Sequence, residues 1–212
     1  MLTAIIDYGS GNLHSAEKAF QRMALDVGAG DVVVTDDADV VARADRVVLP
    51  GDGAFPACQR ELTGHSGLYQ AMVEAVDTLG RPFLGICVGM QLMARLGHEY
   101  EEVPGLGWID GEVTRITPAD LALKVPHMGW NDLVIDTPHP ALAGVQTGDH
   151  AYFVHSYHMA VQDPAQRLAH VDYGSEVTAI VGVDNKLGFQ FHPEKSSDVG
   201  LRMIANFMTW TP

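Results

Sequence analysis

Pro82-Phe83-Leu84-Gly85-Ile86-Cys87-Val88-Gly89-Met90-Gln91-Leu92-Met93-Ala94-Arg95-Leu96 decides the fold. A short apolar run meets Gly-x-Cys-x-Gly and passes into a stretch of helix-favouring residues. Strand, glycine-flanked nucleophile and helix in that order make a nucleophile elbow. The turn is too sharp for side chains beside the nucleophile, and a helix N-terminus would favour a thiolate. The same residues also fit a buried cysteine at an ordinary βα junction.

Working outward, the first half of the chain alternates strand-like and helix-like runs. Strands are expected near 2–8, 32–35, 47–50 and 82–86, and helices near 13–23, 68–79 and 90–96. This rhythm implies an α/β domain with a mostly parallel sheet and helices on both faces. The second half is richer in strands, expected at 112–116, 133–135, 151–156, 168–172, 178–183 and 187–191, with a last helix near 199–210. Val183-Asp184-Asn185-Lys186-Leu187 reads as a hairpin turn. There is neither an internal repeat nor a long linker, so residues 1–212 are read as a single domain.

Ligands of open parallel sheets bind beyond the carboxyl ends of the strands. The elbow, the Pro50-Gly51-Asp52-Gly53 loop and His192 all follow expected strands and can converge on one rim. Gly188-Phe189-Gln190-Phe191 runs into His192-Pro193-Glu194. Residues two apart in an extended chain point the same way. His192 can thus serve Cys87 as base while Glu194 holds its other nitrogen.

Cys87 in its elbow, with His192-x-Glu194 downstream, resembles the triad of the class I glutamine amidotransferases. Further segments narrow the likeness. They are Asp7-Tyr8-Gly9-Ser10-Gly11-Asn12-Leu13, Leu49-Pro50-Gly51-Asp52-Gly53-Ala54-Phe55, Pro126-His127-Met128-Gly129-Trp130-Asn131, Tyr152-Phe153-Val154-His155-Ser156-Tyr157 and Phe189-Gln190-Phe191-His192-Pro193-Glu194-Lys195-Ser196. Together they are similar to the glutaminase subunits of imidazole glycerol phosphate synthases, a family of histidine biosynthesis. The likeness runs from the first strand to the last helix and implies the three-layer class I amidotransferase fold.

The resemblance also implies roles. Gly51, Asp52 and Gly53, with the Val88 N–H, would form the oxyanion site. Gln91 would contact bound glutamine, Glu99 its amino group, and the backbone of Ser156 and Tyr157 its α-carboxylate end. Tyr8, Asn12, Trp130 and Lys195 would face the partner, a (β/α)8-barrel cyclase that consumes the ammonia; a lone tryptophan such as Trp130 equally fits a core. Family members usually carry an apolar residue where this chain has Asp52, whose charge would disfavour a nearby thiolate. Acyl transfer of this kind needs no cofactor and no metal.

Composition excludes other classes. Net charge is −14, from 13 basic and 27 acidic residues, which disfavours nucleic acid and anionic membranes as partners. There is no apolar run of transmembrane length, and the N-terminus reads as a first strand of a cytoplasmic protein. Neither cysteine sits in a Cys-x-x-Cys pair, and Cys58 reads as a packed or partly exposed thiol. Gly9-Ser10-Gly11 lacks the third glycine of a dinucleotide fingerprint, because position 14 is His14. His150 and His158 share strand parity but His155 opposes them, which argues against a metal cluster. Two other functional classes remain: a different Cys-His-Glu hydrolase of the same fold, such as a γ-glutamyl peptidase or the glutaminase of pyridoxal phosphate synthesis, and a catalytically silent binding subunit.

Overall fold

The structure, a computed structural model, describes residues 1–65, 67–120 and 122–212. The first half folds as β1 (Leu2–Ile6), α1 (Leu13–Val27), β2 (Asp31–Thr35), α2 (Ala38–Arg43), β3 (Arg46–Gly51), α3 (Phe55–Gly64), α4 (Leu68–Val73), β4 (Phe83–Cys87) and α5 (Val88–Gln91). There follow β5 (Ala94–Gly97), β6 (Val103–Pro104), β7 (Ile109–Arg115), β8 (His127–Asp132), β9 (Val134–Ile135), β10 (His150–His155), β11 (Tyr157–Val161), β12 (Arg167–Asp172), β13 (Glu176–Val183), β14 (Lys186–Phe189) and α6 (Ser197–Thr209).

An eight-stranded sheet runs in the order β2-β1-β3-β4-β14-β13-β12-β9. Its β2 to β14 half is parallel and the rest antiparallel. From β1 the chain crosses to β2 on one side, then back past β1 to β3 and on to β4. Right-handed crossovers therefore place α1 on one face and α2, α3 and α4 on the other. Accordingly α1 packs on α6, while α2 and α3 pack on α4. The crossover direction reverses beside β1, which opens a crevice at the carboxyl ends of β1 and β3.

In β3, β4 and β14, three adjacent parallel strands, Gly51 pairs with Cys87 and Ile86 with Phe189. Three strand ends thus come out level, and the loops beyond them form one rim. Apart from Lys186 at the start of β14 the strands are buried throughout, and they are nearly continuous in apolar residues, as sheets covered on both faces require. Asp184, with φ 49°, makes the expected β13–β14 hairpin turn.

Three expectations are corrected. The helix over 90–96 is a single turn, α5, followed by strand β5. The Leu92 carbonyl accepts from Leu106 N–H, and that of Met93 from Trp108 and Ile109 N–H, so neither is left for the next turn of a helix. The helix over 68–79 is α4 followed by a wider π-turn, Glu74–Thr78. The strand at 187–191 stops at Phe189. Helices α2 and α3 were not expected; Pro56 stands in the first turn of α3, where its missing N–H leaves no gap. The later strands also build two small sheets, β11-β7-β5-β6 and β10-β8.

Candidate active site

Cys87 ends β4 with φ 55° and ψ −112°. A non-glycine residue held there stores on the order of 1–3 kcal/mol, the sort of strain that surrounding structure must impose. The imposing contact is visible at Gly89, where any Cβ would strike the Leu49 carbonyl. A Cβ on Gly51 would likewise lie 2.7 Å from the Gly89 nitrogen. The elbow thus threads between β3 and its own helix with no room to relax. That helix is one turn long, so its dipole is a weaker source of positive charge than the sequence suggested.

The compensating charge comes from His192. Its ring sits beside the Cys87 sulfur, and its Nδ1 bonds Glu194 Oε1 at 2.9 Å. Glu194 reaches it from a 3-10 turn, Pro193–Lys195, and not from a strand continuation. Its side chain is 2% exposed, and its second oxygen has no partner among the described residues. Burial of the His192 ring favours the neutral form. The hydrogen bonds and charges of Cys87 and Glu194 outweigh it and raise the imidazole to about 10. At neutral pH the base is therefore already cationic.

The chain carrying His192 is tied down from both sides. Phe189 and Phe191 stack at 5.2 Å, and Phe153 of β10 meets Phe191 edge-on at 5.6 Å. Such pairs add about 0.5–1.5 kcal/mol beyond burial. His192 N–H donates to the Tyr152 carbonyl at 3.1 Å, and buried Ser196 Oγ donates to the His192 carbonyl at 2.7 Å while accepting from Tyr152 N–H at 3.0 Å.

A pocket of about 220 Å³ opens over the sulfur. It brings Asp52, Gly53, Cys87 and Val88 together with Gln91, Glu99, Ser156 and Tyr157. Gln91 Nε2 donates to the Tyr157 carbonyl at 2.9 Å and to Gln190 Oε1 at 3.0 Å. Gln190 Nε2 in turn lies 3.9 Å from Cys87 Sγ. Glu99 accepts from Phe55 N–H at 2.8 Å, which caps α3 and fixes the carboxylate at the pocket wall. The Ser156 carbonyl is taken by Ile116 N–H.

Of the expected oxyanion residues, Gly51 is buried behind the pocket. Asp52 N–H donates to Ser10 Oγ at 3.2 Å, and Ser10 Oγ donates back to the Asp52 carbonyl at 2.6 Å. This N–H is thus committed to the β1–α1 turn. Residues that sequence reasoning passed over are Ser10, Gln190, Ser196 and the His127–His155 pair. The one signal for Gln190 was a polar residue inside the apolar run before His192.

Among the expected partner residues, Asn12, Trp130 and Lys195 are exposed, Trp130 by 54%. Tyr8 is a correction: it is 1% exposed, packed inside the core with its hydroxyl under Gly51, and presents no surface to a partner. His150 pairs with Asp132 at 2.9 Å. Among the described residues no His, Cys, Asp and Glu group has a metal-binding arrangement, and no helix is long and apolar enough to cross a membrane.

The model of the glutamine amidotransferase class-I family matches residues 4–210. The imidazole glycerol phosphate synthase subunit HisH of Ruegeria pomeroyi is 74% identical over 100% of both chains. The protein of the same description from Cereibacter sphaeroides is 66% identical, again over 100% of both. A crystal structure of a glutamine amidotransferase superimposes with a TM-score of 0.72 at 17% identity, over 97% of this chain and 98% of that one.

Proposed function

Since the chain belongs to the class I glutamine amidotransferase family, we propose that it is the glutaminase subunit of an imidazole glycerol phosphate synthase of histidine biosynthesis, with Cys87, His192 and Glu194 as its triad. The observation that carries the assignment is the strained Cys87 elbow facing a histidine whose Nδ1 bonds Glu194 Oε1 at 2.9 Å.

Cys87 attacks the side-chain carboxamide carbon of glutamine as a thiolate. The new oxyanion takes N–H bonds from Val88 and the loop 51–53. His192, already an imidazolium, passes its proton to the departing nitrogen, and ammonia leaves a γ-glutamyl thioester. Neutral His192 then takes a proton from water as the water attacks the thioester carbonyl, and collapse returns the thiolate and releases glutamate. Glutamine and water thus become glutamate and ammonia. Within the pocket, Gln91 and Glu99 hold the amino-acid end, and Ser156 and Tyr157, whose carbonyls are engaged elsewhere, offer their N–H groups to the carboxylate.

Free ammonia is mostly ammonium at neutral pH and a poor nucleophile, so its consumer docks directly. The partner is a (β/α)8-barrel cyclase, which meets the face bearing Trp130, Asn12 and Lys195, in the cytoplasm. The assay that tests this measures glutamine hydrolysis by the subunit alone, with the cyclase, and with the cyclase plus its nucleotide ligand. Stepwise activation supports the assignment; equal turnover in all three returns the chain to the stand-alone hydrolases. A glutamine analogue that traps the thioester at Cys87 excludes the silent binding subunit.

A further inference from the structure

His127 lies behind His155, which itself lines the pocket, and neither takes part in the chemistry above. Both are buried. His127 Nδ1 meets His155 Nε2 at 3.1 Å, and His155 Nδ1 lies 2.8 Å from the Tyr157 carbonyl. At the other end Asn131 Nδ2 lies 3.3 Å from His127 Nε2.

Hydrogen-bond logic fixes every proton in this row. The Tyr157 carbonyl can only accept, so His155 Nδ1 carries the hydrogen. A neutral His155 then offers Nε2 as an acceptor, so His127 Nδ1 must donate. His127 Nε2 is left to accept from Asn131. The Asn131 amide is oriented for that: Nδ2 also donates to the Asp172 carbonyl at 2.9 Å, and Oδ1 accepts from Asp132 N–H at 2.8 Å. All donors point one way, toward the pocket. Protonating either ring would set two N–H groups head to head, and burial already lowers His127 to about 4 and His155 to about 3. Tyr173 lies tilted against His127 with ring centroids 4.0 Å apart, and His158 and His192 are the other titratable groups near His155.

The row ends where substrate begins. The Tyr157 carbonyl takes His155 on one side and Gln91 on the other, and Gln91 lines the pocket beside Tyr157. Its other end starts in the strand that carries Met128 and Trp130, 63% and 54% exposed. We propose that His127 is a positioning residue for glutamine: with His155 it forms a one-way hydrogen-bond relay from Asn131 on the exposed strand to the Tyr157 carbonyl, and so sets Gln91 and the binding end of the pocket. The effect on glutamine rests on the glutaminase reading; the relay itself rests on the hydrogen bonds alone.

Two measurements test it. The first is glutaminase kinetics of the assembled synthase at saturating cyclase and ligand, for His127→Phe, His127→Gln and Asn131→Asp. Phe keeps the packing on Phe153 and Tyr173 but removes the relay, Gln restores a donor and an acceptor, and Asp presents His127 with an acceptor where a donor is needed. His127→Phe and Asn131→Asp should raise the glutamine KM about tenfold, or ~1.4 kcal/mol, with kcat within roughly threefold of wild type. His127→Gln should bring KM back within about threefold. An unchanged KM, or a loss confined to kcat, overturns the relay's role in binding. The second is nitrogen-15 correlation spectroscopy of the histidine-labelled wild-type complex, with both rings assigned by through-space contacts, His127 to Tyr173 and Phe153 and His155 to Phe153. Both rings should be neutral Nδ1–H tautomers. An Nε2–H tautomer at His155 overturns the relay even if the variants do not fold. A wild-type complex without glutaminase activity refutes the functional assignment, and the tautomers still decide the relay.

Discussion

In the proposed reaction Cys87 and His192 act as one unit. With His192 cationic at neutral pH, the resting histidine is ready to act first as an acid, toward the leaving nitrogen. We predict that Cys87→Ala abolishes glutamine hydrolysis but leaves ammonia-driven synthesis by the complex intact, because the sulfur makes ammonia and the partner uses it; a folded, associated mutant lacking both activities would contradict this. His192→Asn should be nearly as damaging in steady-state glutaminase assays, and Glu194→Gln roughly a hundredfold milder, since nucleophile and base act as a unit while the third member orients. The proton on His192 also has a stability consequence. An unfolded histidine titrates at 6.5, whereas His192 holds its proton to about 10. The folded state therefore binds the extra proton over that window. Its stabilisation is complete below pH 6.5 and is lost as pH rises through about 10. Melting temperatures of wild type should fall across this window more than those of His192→Asn, and parallel curves would refute the pairing.

Among the elements, we predict that the loop after β3 carries the regulation. The Ser10 hydroxyl bonds both the N–H and the carbonyl of Asp52, which holds the loop on the β1–α1 turn and keeps that N–H from the oxyanion. One missing oxyanion donor costs about 2.7–4 kcal/mol, roughly a hundred- to a thousand-fold in rate. The isolated subunit should therefore be slow, and Ser10→Ala should raise its basal glutaminase about tenfold or more while reducing the further activation by cyclase and ligand. Unchanged basal turnover in Ser10→Ala would show that the loop is held by something else. The elbow shows the same interplay from the opposite side: the apolar run after Cys87 has the composition of a longer helix, but the returning chain Leu106–Ile109 captures its carbonyls after one turn.

For the whole molecule, one acidic chain must still find a partner. Exposed Trp130 packs edge-on against Tyr152 at 5.8 Å, and Tyr152 is hydrogen-bonded to the His192 segment through Ser196. Trp130 of β8 and the His192 segment are thus joined through Tyr152 of β10. Trp130→Ala should weaken association with the cyclase by about 2 kcal/mol, or roughly thirtyfold in Kd, by calorimetric titration. An unchanged Kd would remove Trp130 from the interface.

The sequence by itself determined what depends on neighbours along the chain. Gly-x-Cys-x-Gly between a strand and a turn, His192 two residues before Glu194, and the β–α rhythm of the first half are local patterns. Each has one physical reason: room at a sharp turn, reach across a short segment, burial on both faces of a sheet. Tertiary structure alone decided what depends on residues far apart in sequence. Ser10 meets Asp52, Gln190 meets Cys87, and His127 meets His155 only because β1 lies beside β3, strands β3, β4 and β14 end level, and β8 pairs with β10. Tyr8 left the surface for the core, and the stretch after Gln91 became strand β5, for the same reason. A side chain's or a carbonyl's best partner was set by packing across the sheet, and no propensity of the residue itself encodes that.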